Sequence, residues 1–312
     1  MPQSKNDRSN SAGASKARQG GHSDGRAASR ARRLKLDVGY LTHAEGSCLA
    51  TAGETRVLCA VSLEDRVPDF LHGSGRGWLT AEYSMLPRST HTRSAREVNK
   101  GKIKGRTHEI QRLIGRSLRA VLDLNKLGER TLYVDCDVLQ ADGGTRTTSI
   151  NAAYVAVAQA VETLLVSGEL EESPLREPVA AVSIGILDGE VLTDLAYAED
   201  SKADVDANFV MTGSGGLVEV QGTAEGRTFE REDLTLMLDA AWSAIQNYNV
   251  LQERALQAHA KKGKKPAAAK PRAKKAAVRK NAAAKKTSAP PKKPGGAAKP
   301  ARKARKAVRK KK

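Results

Sequence analysis

The chain has 312 residues, 39% of them hydrophobic and 4% aromatic, with a formal net charge of +18. That charge sits at the ends: Lys261 to Lys312 carries 23 Lys or Arg and no acid, Met1 to Arg33 carries 8 basic and 2 acidic residues, and the remaining 22 basic and 33 acidic residues leave the centre near −11. Three cysteines without a C-x-x-C pair argue for reduced thiols and against a disulfide framework and a zinc site, and no uncharged run approaches the roughly 20 apolar residues that cross a bilayer.

Both ends are poor in large apolar residues and cannot offset their chain entropy. The sequence therefore predicts a disordered basic N-terminal extension (1–33), a folded region (34–260) large enough for a substantial core, and a disordered Lys/Ala/Pro-rich tail (261–312). Pro266, Pro271, Pro290, Pro291, Pro294 and Pro300 interrupt any long helix in that tail. The start of the chain is polar and lacks an apolar signal segment, so a soluble, cytoplasmic protein with no membrane partner is expected.

Leu34 to Val38, Ser47 to Ala52 and Thr55 to Leu63 read as strands, with a hairpin turn at Gly53-Glu54. A short strand, Trp78 to Tyr83, follows a glycine-rich loop. Pro87 to Thr107 has no apolar periodicity and reads as a long exposed basic loop. Glu109 to Leu124 is an amphipathic helix, with Ile110, Leu113, Ile114, Leu118, Val121 and Leu122 at helical spacing and Thr107 as its cap. Thr131 to Gln140 alternates Leu132, Val134, Cys136 and Val138 inward as a strand. A helix from about Thr147 to Val166 is apolar on most sides and should be buried. Past Arg176 to Pro178 come strands Val179 to Leu187, Glu190 to Leu195, Asp206 to Thr212 and Leu217 to Gly222, then a final helix from Glu230 to about Ala258. Strands before helices in both halves give an α+β fold, helices layered on mixed sheet.

The junction Asp142 to Ser149, D-G-G-T-R-T-T-S, carries the most chemistry. Two glycines let successive N–H groups converge, the following helix adds its positive end, Thr145, Thr147, Thr148 and Ser149 offer hydroxyls, and Arg146 offers a planar charged fork. These suit a small oxyanion such as phosphate, although the same eight residues also spell an ordinary glycine turn. Ten of the 22 central basic residues lie between Arg88 and Arg119, opposed there only by Glu97 and Glu109. That belt suits a polyanion held by its phosphates. Arg106 stands at a helix start and faces a ligand there in this reading, whereas Arg112, Arg116 and Arg119 share one helix face and read as structural or intersubunit ion-pair residues. Glu199, Asp200, Asp204 and Asp206 supply the carboxylate oxygens that magnesium prefers. Asp200 and Asp206 share a metal only if the chain turns at Ser201-Lys202-Ala203. No H-E-x-x-H, G-x-x-x-x-G-K-[ST] or G-x-S-x-G occurs.

Three motifs in one order, L-P-R-S-T-H-T-R with G-R-T-H-E-I-Q-R-L-I-G-R-S-L-R, then V-D-C-D-V-L-Q-A-D-G-G-T-R, then A-E-D-S-K-A-D-V-D-A-N-F-V-M with V-E-V-Q-G-T-A-E-G, resemble the ribonuclease PH family over about Leu36 to Ala255. The resemblance implies a phosphorolytic 3′→5′ exoribonuclease, a transferase that trims transfer RNA precursors and other structured RNA such as ribosomal RNA, releasing nucleoside diphosphates. It further implies phosphate binding by Arg106, Gly144, Thr145 and Arg146, catalysis and metal binding (Mg2+ or Mn2+) by Asp200 and Asp206, and RNA binding by Arg88, Arg93 and Arg96. Two β-α halves and a homohexamer built as three dimers belong to the same expectation. The C-terminal tail departs from the family pattern, and its A-K-K and A-R-K repeats suit salt-sensitive, non-specific binding to RNA or DNA. The alternative is a nucleic-acid-binding structural protein whose enzyme-like core is a scaffold.

Overall fold

A computed structural model describes residues 21–225 and 228–263. The expected tail lies outside them except for its first residues, Lys261 to Gly263, which close a helix. Residues 1–20 of the expected N-terminal extension also lie outside.

The first sheet has five strands in the order β1-β2-β3-β5-β4: β1 (Leu34–Val38), β2 (Gly46–Ala52), β3 (Thr55–Glu64), β4 (Trp78–Met85) and β5 (Thr131–Gln140). All neighbours are antiparallel except β4 and β5, which are joined through helices α1 (Gly105–Ala120) and α2 (Leu124–Leu127). A parallel pair needs such a crossover because its strands start at the same end of the sheet. The second sheet is antiparallel, in the order β7-β6-β8-β9: β6 (Val179–Leu187), β7 (Glu190–Thr193), β8 (Val205–Thr212) and β9 (Leu217–Ala224). The expected strands are all present, and the hairpin turns at Gly53 and at Asp188-Gly189 fall where their positive φ angles require them.

Helix α3 (Thr145–Val166) packs on β2 and β3 of the first sheet and on β6 of the second. It has apolar neighbours on both sides, so alanines and valines dominate its middle, from Ala152 to Val161, and an amphipathic pattern is absent. The length and mean hydropathy of 1.4 in this helix match those of a membrane span, contrary to the expectation from uncharged runs, but 67% of that stretch is buried inside the fold. One polar residue inside it is matched to its surroundings. Asn151 Nδ2 donates to the Ala181 carbonyl and its Oδ1 accepts from the Ala181 N–H, both at 2.9 Å. A buried amide that satisfies both partners in mid-strand fixes the register of α3 against β6. The last helix, α5 (Arg231–Gly263), packs on β6, β1, β7 and β8.

Two expectations are corrected. Residues 21–33 are not a disordered extension: His22 and Arg32 are buried. Composition favoured disorder because the segment contributes almost no apolar area, and polar pairs with distant residues hold it instead. Helix α1 begins at Gly105, not Glu109, and Thr107 does not cap it. Lys104 is the cap residue, and Thr107 Oγ1 donates to Glu97 Oε1 at 3.1 Å, from inside the first turn.

Candidate active site

A pocket of about 300 Å³ draws its walls from both halves: Arg106 from α1, Gly143 to Arg146 from the start of α3, Asp200 from α4 (Tyr197–Asp200), and Asp206 and Asn208 from β8. Thr90, His91 and Thr92 of the long loop and Ser183 of β6 complete it.

The turn into α3 is built by left-handed backbone at Gly143 (φ +76°) and Gly144 (φ +61°). A side chain at Gly143 would place its Cβ 2.6 Å from the Leu195 carbonyl oxygen and 2.8 Å from the Tyr197 N–H nitrogen, so the loop touches backbone of the second half there. Gly144 is the helix cap and brings no side chain to the first-turn N–H groups, which a helix start cannot satisfy from within. Thr145 Oγ1 lies 2.9 Å from the buried Tyr83 hydroxyl. Thr147 and Ser149, expected as anion donors, instead bond back to the carbonyls of Gly144 (3.0 Å) and Thr145 (2.8 Å) and are buried away from the pocket, as is Thr148. Helical geometry explains it: hydroxyls in the first turns return to carbonyls three or four positions back.

Arg146 is aimed by two groups that sequence reasoning missed. Its Nη1 donates to Gln221 Oε1 on β9 and lies 3.4 Å from Glu109 Oε1 on α1, while Gln221 Nε2 approaches the same Glu109 oxygen at 3.4 Å. The guanidinium thus keeps its remaining donors for the pocket. Arg106 is exposed in the first turn of α1, inside the helix and not ahead of its cap.

Asp200 ends α4 and Asp206 follows the turn at Ser201-Lys202 near the start of β8, so the chain does turn as sharing one site requires. Burial pushes both carboxyls up, Asp206 to about 6 with the charge of Asp200 adding to it, while Arg146 and Arg106 oppose the rise. Two half-buried carboxylates, one raised by the charge of the other, fit a hard divalent cation, whose charge relieves the repulsion. No third His, Cys, Asp or Glu joins them as a metal cluster among the described residues, so other ligands would come from substrate phosphate and water. Glu199 does not belong with them. It is buried, with Oε2 3.0 Å from His22 Nδ1 and Oε1 accepting from the Ser23 N–H (2.7 Å) and Oγ (2.9 Å). Burial opposes its ionisation, but these bonds outweigh it and hold the carboxyl at about 2.

Arg88, Arg93 and Arg96 are exposed on the long loop beside the pocket, and Arg88 Nη1 donates to the His91 carbonyl at 2.7 Å. Part of the basic belt is ion-paired after all: Lys104 with Glu97 (3.8 Å) and Arg116 with Glu219 (2.7 Å), a partner contributed by β9 from far along the chain. Arg119 lies 4.7 Å over the Trp78 ring and donates to the Leu79 carbonyl, a structural role without a carboxylate. Tyr197 and His91, with ring centroids 6.3 Å apart, also line the pocket, and nothing in their sequence surroundings marks them.

The sequence patterns of the two domains of the 3′ exoribonuclease family match residues 30–161 and 177–244. The chain belongs to the 3′ exoribonuclease family. It is 54% identical over 233 residues to ribonuclease PH of Moorella thermoacetica, covering 75% of this chain and 93% of that one. Two solved structures share the fold at 22% identity, each over 75% of this chain: rice (Oryza sativa) Rrp46, at a TM-score of 0.61 over 99% of its chain, and the Archaeoglobus fulgidus exosome with RNA bound to the active site, at 0.62 over 92%. Within the family this chain is of the ribonuclease PH type, a nucleotidyltransferase that trims the 3′ ends of transfer RNA precursors by phosphorolysis. The seam between its two matched domains is where the pocket lies.

Proposed function

We propose that the pocket performs this trimming with Arg106, Gly144, Thr145 and Arg146 holding the attacking inorganic phosphate, and Asp200 and Asp206 serving the scissile bond. The observation that carries the reading is the meeting of a helix-start anion cradle and a carboxylate pair in one pocket. The terminal nucleotide's phosphorus gains a bond to a phosphate oxygen and loses its bond to the 3′ oxygen of the preceding nucleotide, which takes up one proton. A nucleoside diphosphate leaves, and its phosphoanhydride has replaced the phosphodiester bond, a linkage of comparable energy, so the step is reversible. Arg106 and Arg146 offset the repulsion between two anions that must approach. Magnesium, or manganese, held through Asp200 and Asp206 would neutralise charge on the scissile phosphate and the departing oxygen.

Arg88, Arg93 and Arg96, exposed beside the entrance, hold the RNA backbone in this reading. The assembly is a homohexamer of three dimers, a proposal supported by large apolar side chains left on the surface, among them Leu217, Leu236 and Val250. Residues 261–312 add salt-sensitive, non-specific binding to RNA or DNA. Three free cysteines suit a reducing compartment, and the protein works in the cytoplasm on this account.

A transfer RNA with extra 3′ nucleotides, incubated with magnesium, should shorten and release nucleoside diphosphates only when inorganic phosphate is added. Release of monophosphates without phosphate would overturn the oxyanion assignment. Removing residues 264–312 should leave turnover in place and weaken RNA binding at low salt; loss of both would favour the scaffold.

A further inference from the structure

Three residues outside the pocket wall hold the glycine turn from behind. Thr55, fully buried at the start of β3, accepts from the Asp142 N–H (2.9 Å) and donates to the Gly143 carbonyl (2.7 Å) through one oxygen. Arg32 Nη1 donates to the Asp142 carbonyl at 2.6 Å. The arginine is itself immobilised by Asp194, with Nη2 to Oδ1 at 2.6 Å, Nε to Oδ2 at 3.0 Å and its own backbone N–H to Oδ2 at 2.9 Å. Its stem lies against the β2–β3 hairpin, where a Cβ at Gly53 would meet Arg32 Cδ at 2.8 Å. Asp194 leaves β7 in left-handed backbone (φ +64°), uncommon for a residue with a side chain, and also accepts from the buried Tyr248 hydroxyl at 3.3 Å.

We infer that Thr55, Arg32 and Asp194 are positioning residues for phosphate capture, which makes the segment preceding the first strand a working part of the site. The physical need is plain. Two consecutive glycines in left-handed backbone leave Asp142 to Gly144 the least restrained stretch of the pocket. Convergent N–H groups hold an anion well only if they are fixed before it arrives. Thr55 closes both polar groups flanking the first glycine, and Arg32 takes the carbonyl that would otherwise compete for orientation. Arg32 acts by geometry, because Asp194 balances its charge at contact distance and both are buried. The chain order also matters: Arg32, Thr55, Asp142 and Asp194 come from four distant segments, so the turn takes its shape only once both halves and the N-terminal segment have docked.

The inference rests on the reading of the Gly144-Thr145-Arg146 turn as the phosphate site. Its test uses the full chain and compares Thr55→Val, Thr55→Ser, Arg32→Lys and Arg146→Ala, measuring the KM for phosphate, the KM for RNA and the rise in melting temperature produced by phosphate. Thr55→Val keeps the side-chain shape and loses the bridging oxygen. It should raise the KM for phosphate about 10- to 100-fold, since misplacement by about 1 Å costs on the order of 10²-fold, while the KM for RNA stays within about twofold. Thr55→Ser should restore phosphate binding, and Arg32→Lys, which cannot span Asp194 and Asp142 together, should behave like Thr55→Val. Equal losses for phosphate and RNA, or a lower melting temperature with unchanged KM for phosphate, would overturn the inference. An Arg146→Ala enzyme with normal KM for phosphate would overturn the underlying site assignment instead.

Discussion

The hydroxyls of Tyr83 and Thr145 meet at 2.9 Å in the protein interior and tie the edge strand β4 to the first residue of α3. Burial pushes the Tyr83 phenol up, against the influence of its bond to Thr145, so it remains a neutral hydroxyl at physiological pH. Replacing Tyr83 with Phe leaves the Thr145 oxygen buried without that partner. The expected cost is about 1–2 kcal/mol in urea unfolding, with a weaker effect on phosphate affinity than Arg146→Ala; unchanged stability would mean that the contact contributes nothing.

Arg146→Ala should lower kcat/KM for phosphorolysis by about 10²- to 10³-fold, the scale of removing one preorganised charged donor, while transfer RNA binding in a filter or polarisation assay persists. Gln221→Ala should lower it by less, because Glu109 still contacts the guanidinium. Parallel loss of RNA binding and turnover in Arg146→Ala would contradict the assignment.

Asp206 titrates at about 6 in the folded chain, above the ordinary aspartate range, through burial and the neighbouring Asp200 charge. The unfolded chain therefore releases this proton first, and ionisation destabilises the fold as pH rises from about 4 to above 6. Asp206→Asn should gain about 1–3 kcal/mol at pH 7.5 in metal-free buffer, with the gain vanishing near pH 4. The same substitution should abolish turnover. In the wild type, added magnesium should lower this titration and recover part of the stability lost at pH 7.5, because a bound cation offsets the burial and the Asp200 charge that raise it. Equal stability of variant and wild type at pH 7.5 would show that the pair is not under strain.

Gly143→Ala should destabilise by about 2 kcal/mol or more, since it combines a positive φ with approach to backbone atoms of Leu195, Ala196 and Tyr197 in the second half. The variant should also lose activity, because relief of the clash separates the glycine turn from the segment that leads to Asp200. Calorimetry with a parallel phosphorolysis assay reads both effects. Full activity at wild-type stability would mean that the seam yields freely.

Cys48, Cys59 and Cys136 lie side by side across β2, β3 and β5, all buried. Burial pushes the Cys48 thiol up to about 12 and that of Cys59 well above its usual value. The native enzyme at pH 8 should react with a thiol reagent far more slowly than the unfolded chain, in which all three become available. Rapid native labelling of any of them would show that this sheet opens.

The sequence by itself determined the strands, the long helices and the glycine turn that opens α3, because each is written in local pattern. Alternation such as Leu132, Val134, Cys136 and Val138 needs no partner to be read, and D-G-G-T-R carries its turn and its charge in five adjacent residues. Only the tertiary structure decided which polar residues serve the site and which serve the fold. Glu199 stands beside Asp200 in the chain, yet His22 and Ser23 claim it. Arg146 takes its aim from Glu109 and Gln221, which lie 37 and 75 positions away. The segment before Leu34 looked too polar to fold because local composition counts apolar area. What holds Arg32 is a carboxylate 162 positions distant, and an ion pair of that separation exists only after both halves have closed around it.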